Sequence, residues 1–237
     1  MGRFDEAAQT GKSRVMNPAQ WTEVDRYLVE QLVPDDPVLD AALAASAAAE
    51  LPAINVAPNQ GKLLQLLARI NGARRILEIG TLGGYSTIWL ARALPADGQL
   101  VTLELDPKHA AVARANFVAA GVAGQVDLRV GPAAETLAHM VAETTAPFDF
   151  IFIDADKENI PTYFTRALQL ARPGTVIVVD NVVRNGAVTD ATSTDVSVQG
   201  VRKFMELVAT ETRVDATAVQ TVGSKGYDGF ALLRVKG

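Results

Sequence analysis

Apolar positions over residues 17–72 recur at helical spacing and predict three helices. An Asn-Pro pair at residues 17–18 and an Asp-Pro pair at residues 36–37 are typical helix starts, and they begin the first two. The third runs roughly over residues 60–70 and ends at an Asn-Gly pair, a common C-terminal cap. We expect these helices to form an N-terminal helical layer.

From residue 75 onward, short apolar runs alternate with helical stretches. The runs at 150–153 and 176–179 contain no polar residue, as expected for strands that helices cover on both faces. The predicted strands are residues 76–79, 100–105, 126–130, 148–154 and 175–180, with an antiparallel hairpin from 216–222 and 229–235. Strand-helix alternation of this kind predicts an α/β fold with a doubly wound, mostly parallel sheet of seven strands.

Two further segments differ from this pattern. Residues 1–17 are polar and lack a period, so we expect a flexible N-terminal segment before a single domain over residues 18–237. Residues 183–200 are polar and rich in Thr, Ser, Asp and Gly, and they are predicted to be a mobile loop. The turn of the C-terminal hairpin is expected to contain Gly226, Tyr227 and Asp228.

Composition narrows the possible functions. The chain has 237 residues, a net charge of −5 and no cysteine, with His109 and His139 as its two imidazoles. The acidic balance disfavours a broad nucleic-acid interface, and any metal site would depend mainly on oxygen ligands. Neither a signal peptide nor a membrane-spanning stretch is recognisable, so we expect a cytoplasmic protein that does not bind membranes.

A glycine-rich turn follows the first predicted strand. In the run Glu78 to Gly84, glycines let the backbone approach a ligand closely, but the spacing lacks the middle glycine of the dinucleotide fingerprint. Such a turn alone can simply reverse the chain. However, Glu104 ends the second strand, where an acidic side chain can accept hydrogen bonds from both ribose hydroxyls of an adenosine cofactor. The two features together predict an adenosine site.

Oxygen donors follow the fourth and fifth strands. Asp154 ends one strand and Asp180-Asn181 ends the other, so all three should reach the crevice at the carboxyl edge of the sheet. Two carboxylates and an amide oxygen suit Mg²⁺, Ca²⁺ or Mn²⁺. Strand-end Asp and Asn residues also commonly begin turns, and spacing alone favours that simpler interpretation.

The motifs together resemble a known family. The run EIGTLGGYS at residues 78–86, with Glu104, resembles the cofactor motifs of class I S-adenosylmethionine-dependent methyltransferases. VAPNQG at residues 56–61 and DADK at 154–157 resemble the cation-dependent O-methyltransferases of bacteria and plants, the caffeoyl-CoA and catechol O-methyltransferase type. The likeness covers roughly residue 18 to the C-terminus, and it implies a Rossmann-like methyltransferase fold.

The resemblance also implies roles for individual residues. Glu78 would bind the methionine ammonium of S-adenosylmethionine and Glu104 the ribose. The other implied cofactor contacts are Gly80, Thr81 and Ser86 at the methionine portion, Ala133 at the adenine, Val56 through its backbone, and Asp154. Two positions depart from the family pattern: Asn59 stands where many relatives are acidic, and Pro132 stands where an aspartate is common.

For catalysis, the resemblance implies that Asp154, Asp180 and Asn181 bind a divalent cation, Mg²⁺ before Ca²⁺ or Mn²⁺. Lys157 would be the general base beside Asp154; the alternative is an exposed lysine at a helix start. The loop 183–200 would cover a pocket for a small phenolic acceptor. The resemblance further implies a homodimer through the N-terminal helices.

The leading hypothesis is therefore a metal-dependent O-methyltransferase that acts on a catechol-like vicinal aromatic diol. One alternative keeps the fold and the cofactor but takes a hydroxylated uridine of tRNA as acceptor, against which the acidic charge argues mildly. A second alternative is a non-catalytic cofactor-binding protein, which would have no need of the oxygen donors. A nicotinamide dehydrogenase is disfavoured by the glycine spacing.

Overall fold

The computed structural model describes residues 17–237. The expected flexible segment 1–17 therefore lies, apart from Asn17, outside the described residues, and the division into this segment and one domain stays a prediction.

Seven strands form one sheet in the order β3-β2-β1-β4-β5-β7-β6. The strands are β1 (Arg75–Ile79), β2 (Gln99–Glu104), β3 (Val126–Val130), β4 (Phe148–Ile153), β5 (Ala171–Asp180), β6 (Val214–Gly223) and β7 (Gly226–Val235). The first five are parallel, whereas β7 is antiparallel to both β5 and β6. The predicted fold, a doubly wound and mostly parallel sheet with a C-terminal antiparallel hairpin, is confirmed.

Eight α-helices accompany the sheet within residues 17–237. They are α1 (Pro18–Leu32), α2 (Pro37–Ala48), α3 (Pro58–Asn71), α4 (Tyr85–Ala91), α5 (Pro107–Ala119), α6 (Ala133–Ala142), α7 (Ile160–Gln169) and α8 (Val196–Thr210), with short 3₁₀ helices at Lys157–Asn159 and Ala187–Thr189. The side chains of Asn17 and Asp36 accept hydrogen bonds from backbone N–H groups of the first helical turns, as the two predicted N-caps should.

Helices cover both faces of the central strands. On one face, Leu77, Ile151 and Ile177 belong to an apolar cluster with α6, α7 and α8. On the other face, Ile76, Phe150 and Val178 belong to a second cluster with α2 to α5. Because side chains on a strand alternate between faces, both sides of β1, β4 and β5 are buried, which explains their continuous apolar sequence.

The structure corrects several predicted boundaries. Residues 196–200, predicted as part of a mobile loop, are the first turn of α8, a helix that was not predicted. The side chain of Asp195 caps it by accepting from the N–H groups of Ser197 and Val198, and buried Val201 and Phe204 anchor it on the sheet.

The C-terminal hairpin turns earlier than predicted. Gly223 pairs with Gly226, so the turn consists of Ser224 and Lys225 alone, and Tyr227 and Asp228 belong to β7. Gly226 adopts a φ of 95°, a conformation that favours glycine at such a turn. Strand β5 begins at Ala171, four residues before the predicted start.

Membrane insertion was not expected from the sequence. Over residues 17–237, none of the helices has the combination of length and apolar sequence that crossing a bilayer requires.

Candidate active site

The carboxyl edge of the parallel sheet brings the predicted residues together. Strands β4 and β5 pair so that Ile153 lies opposite Val179, and the next residue of each strand is an aspartate, Asp154 and Asp180. Strand β1 lies beside β4 and leads into Gly80 at the same edge. The expected crevice for ligands therefore lies beside the ends of β1, β2, β4 and β5.

The glycine turn after β1 is packed directly against β4. Gly80 has a φ of 102°, and a Cβ atom there would lie 2.1 Å from the carbonyl oxygen of Asp154. Its N–H donates to the carbonyl of Leu103 at 3.0 Å, which ties the turn to β2 as well. Glycine is required at this position by both backbone conformation and space.

Glu78 is fully buried under the turn and is surrounded by hydroxyl groups. Ser86 Oγ donates to its Oε1 at 2.7 Å, while Thr102 Oγ1 at 2.7 Å and Thr87 Oγ1 at 2.5 Å donate to its Oε2. Burial raises the pKa of Glu78 to about 7, and the negative charge of Asp154 adds to that rise, although the three hydroxyls oppose it. The site thus holds a carboxylate whose negative charge a ligand cation would stabilise.

Glu104 ends β2 and contacts the backbone of the same turn. Its Oε2 accepts from the N–H groups of Leu82 at 2.7 Å and Thr81 at 3.3 Å, and its Oε1 accepts from the N–H of Asp106 at 2.9 Å. The residue is 8% exposed. Glu104 therefore lies where the turn after β1 meets the end of β2, as an adenosine site requires.

The remaining expected cofactor contacts border this region. Thr81 is buried and its hydroxyl is 2.6 Å from that of Thr102. Ala133 is the first residue of α6 and follows Gly131, whose N–H donates to the carbonyl of Glu104 at 2.9 Å. Val56 is buried in the segment that leads into α3, and its carbonyl accepts from the side chain of Asn55 at 3.0 Å.

Lys157 lies in the 3₁₀ turn after β4 and is buried, with 9% of the residue exposed. Its Nζ donates to Asp154 Oδ1 at 2.7 Å. Helix α8 packs closely on this turn, because a Cβ atom on Gly200 would lie 2.1 Å from the carbonyl oxygen of Lys157. The alternative interpretation of Lys157 as an exposed lysine does not agree with this burial.

Asp180 is the more enclosed of the two aspartates, with 6% exposed. Its Oδ1 accepts from the N–H of Asn181 at 2.8 Å, and its Oδ2 accepts from Gln60 Nε2 at 2.6 Å. Burial raises its pKa to about 7, and the neighbouring charge of Asp154 contributes to the increase. Asn181 follows with a φ of 61°, a left-handed conformation that asparagine tolerates better than most residues.

The donor set fits a hard divalent cation in its chemistry. Among residues 17–237, no three His, Cys, Asp or Glu side chains are grouped so that they could hold a metal ion. The predicted ligand set differs from such a group because it combines the carboxylates of Asp154 and Asp180 with the amide oxygen of Asn181. Lys157 lies beside these residues. Since burial and mutual repulsion both disfavour a second negative charge at Asp180, a bound cation would stabilise the pair.

Three residues of this site were missed by sequence reasoning. Thr87 and Thr102 complete the hydroxyl shell of Glu78, and Gln60 contacts Asp180 from α3. Thr102 lies opposite Glu78 in the pairing of β1 with β2, so the register could have indicated it. Gln60 lies within the VAPNQG motif, but the motif assigns it no role, and no sequence pattern indicates a contact that spans 120 residues.

Comparisons with known proteins agree with this geometry. The model of a family described as O-methyltransferase matches residues 30–235. The chain is 54% identical over 221 residues to a catechol O-methyltransferase of Niastella koreensis, which covers 93% of this chain and all of the relative. It is 55% identical to a catechol O-methyltransferase of Mycobacterium tuberculosis, over 90% of this chain and 96% of that protein.

A solved structure gives the same result. The O-methyltransferase from Bacillus cereus in complex with SAH superposes with a TM-score of 0.92 at 58% identity, covering 93% of this chain and 100% of that one. The chain therefore belongs to the O-methyltransferase family of enzymes, as the resemblance of its motifs implied.

Proposed function

We propose that this protein transfers the methyl group of S-adenosylmethionine to one hydroxyl of a catechol-like small molecule, with the help of a divalent cation. The observation that carries the proposal is the placement of Asp154 and buried Asp180 next to buried Lys157, at the same sheet edge as Glu78 and Glu104. The names of the relatives from Niastella koreensis and Mycobacterium tuberculosis support the acceptor class.

The cofactor half of the proposal rests on the two glutamates. Glu78 would bind the methionine ammonium. Burial disfavours the negative charge of this carboxylate and raises its pKa to about 7, and a cation beside it would stabilise that charge. Glu104 would accept the ribose hydroxyls next to the turn that it already contacts. The Bacillus cereus relative was solved in complex with SAH, which supports the same ligand class here.

In the acceptor half, Asp154, Asp180 and Asn181 would hold the divalent cation, preferably Mg²⁺. A bound cation of this kind lowers the pKa of a coordinated hydroxyl and orients it. Asp180 is the last residue of β5, Asn181 follows it, and Asp154 directly follows the paired strand β4, so the sheet fixes their backbone positions before any ligand binds.

Lys157 would receive the proton of the attacking hydroxyl. In this step Lys157 would enter as the neutral amine, its own proton having passed to solvent, and would become the ammonium that pairs with Asp154 Oδ1, which lies 2.7 Å from its Nζ. The burial of Lys157 and Asp180 limits the water around the reacting groups, which strengthens the electrostatic interactions between them.

The test is a methylation assay with labelled cofactor, run on catechol, on phenol and on hydroxyuridine-containing RNA. We expect transfer to catechol alone, its loss in excess EDTA, and its recovery on addition of Mg²⁺. Asp154→Ala should abolish turnover while far-ultraviolet circular dichroism stays unchanged. Full turnover in EDTA would exclude the cation, and transfer to the RNA alone would favour the tRNA alternative.

A further inference from the structure

Gln60 contacts Asp180 although it lies at the start of α3, in the N-terminal helical layer. Its Nε2 donates to Asp180 Oδ2 at 2.6 Å, while Oδ1 of the same carboxylate accepts from the N–H of Asn181 at 2.8 Å. Each carboxylate oxygen thus accepts one defined hydrogen bond. A neutral amide donor orients the carboxylate without adding a charge that would compete with a cation.

The start of α3 is held from two sides. Gly61 packs against Trp89, since a Cβ atom on Gly61 would lie 2.4 Å from Trp89 Cδ1. On the other side, Asn59 Nδ2 donates to Asp25 Oδ1 of α1 at 2.9 Å. Gln60 lies between these two contacts, so neither the helix start nor its side chain can shift independently of them.

Asp25 also joins the C-terminal hairpin to this arrangement. Its Oδ2 accepts from the N–H of Ser224 in the β6–β7 turn at 2.7 Å. Gly223 leaves the space for this contact, because a Cβ atom there would lie 2.3 Å from Asp25 Oδ2. One carboxylate thereby connects α1, the start of α3 and the hairpin turn, although α1 contains no buried residue.

We propose that Gln60 is a positioning residue for Asp180, and that Asp25 acts through it by fixing the start of α3. The proposal rests on the cation site of the proposed function. According to this proposal, the N-terminal helical layer is part of the active site, because Gln60 sets the orientation of Asp180, a cation ligand 120 residues further along the chain. Hydrogen-bonding partners of metal ligands commonly change metal affinity by about 10- to 100-fold.

The experiment measures Mn²⁺ binding by electron paramagnetic resonance and SAH binding by calorimetry, both on the full chain. Gln60→Met keeps the length of the side chain and removes its donor. Gln65→Met is the matched control, since Gln65 is a buried glutamine of the same helix that contacts Lys62 instead. We expect Gln60→Met to weaken Mn²⁺ binding about tenfold and to leave SAH binding within about twofold, whereas Gln65→Met changes neither.

Asp25→Ala tests the second half of the proposal from a position remote from the carboxylates. It should weaken Mn²⁺ binding in the otherwise unchanged protein, and should have no further effect when added to Gln60→Met. Additive losses in the double variant would contradict action through Gln60. Equal Mn²⁺ affinities of Gln60→Met and Gln65→Met would overturn the positioning role.

The same Mn²⁺ measurements distinguish a failure of the proposed function from a failure of the role of Gln60. If the unsubstituted protein binds no Mn²⁺ with or without SAH, the cation site itself is absent and the inference is overturned together with it. If the unsubstituted protein binds Mn²⁺ and only the substitutions lack effect, the cation site stands and the role of Gln60 alone is refuted.

Discussion

Lys157 Nζ donates to Asp154 Oδ1 at 2.7 Å; Asp154 directly follows β4, and Lys157 begins the 3₁₀ helix three residues later. The contact places the buried amine of Lys157 directly beside the carboxylate pair. We expect Lys157→Met to lower kcat by about 10²- to 10⁴-fold, the usual contribution of a general base, with little change in SAH affinity. Single-turnover assays and calorimetry measure the two quantities.

The matched control is Lys203→Met, an exposed lysine of α8, which should retain normal turnover. Equal kcat values for the two variants would exclude Lys157 as the base.

The raised pKa of Glu78 makes the stability of the ligand-free protein depend on pH. The pKa of this carboxyl is 4.5 in the unfolded chain and about 7 in the folded protein. The free energy of unfolding therefore decreases as the pH rises through that interval, because the unfolded chain releases the proton first. Glu78→Gln removes the ionisation, so the variant should gain about 1–3 kcal/mol relative to the original protein at pH 8 and much less at pH 5. Urea unfolding at the two pH values measures this; a difference independent of pH would contradict it.

The same substitution should impair cofactor binding. An amide cannot form the charge-assisted hydrogen bond that a carboxylate offers to an ammonium group, so SAH affinity should fall about 10- to 100-fold, corresponding to about 1.5–3 kcal/mol. Calorimetric titration of SAH measures the loss. Glu135→Gln, on an exposed residue of α6, is the control and should leave both stability and affinity unchanged.

Gly80→Ala should destabilise the fold by about 3 kcal/mol or more. The added methyl would lie 2.1 Å from the carbonyl oxygen of Asp154, and a φ of 102° is unfavourable for alanine. Gly226→Ala separates the two causes, since Gly226 has a φ of 95° but no atom within 4 Å of the added group, and it should cost only about 1–2 kcal/mol. Similar losses on chemical unfolding would show that backbone strain alone accounts for the effect.

The parallel sheet was predictable because strands that are buried on both faces have continuous apolar sequences, as β4 and β5 do. Asp154 and Asp180 were predictable because each directly follows such a run. Helix α8 was missed because residues 183–200 were interpreted as one loop, although Val198, Val201 and Phe204 recur at helical spacing from its first turn onward. The roles of the site residues, the homodimer and the cytoplasmic location stay predictions.

Other parts of the site depend on tertiary structure. The hydroxyl shell of Glu78 combines Ser86 and Thr87 of α4 with Thr102 of β2, and only the strand register brings Thr102 to the carboxylate. Gln60 reaches Asp180 only because α3 packs over β4 and β5. Contacts between residues so far apart leave no local periodicity to detect.

The pairing of β4 with β5 fixes the positions of Asp154 and Asp180, so the number of residues in either strand cannot change without moving an aspartate. Inserting one residue into either strand would displace its terminal aspartate by about 3.3 Å and turn it to the opposite face. The irregular segment 183–195 carries no such constraint, since it begins only after both strands have ended. Insertions or substitutions in that segment therefore leave the spacing of the two carboxylates unchanged, because the pairing of β4 with β5 sets that spacing.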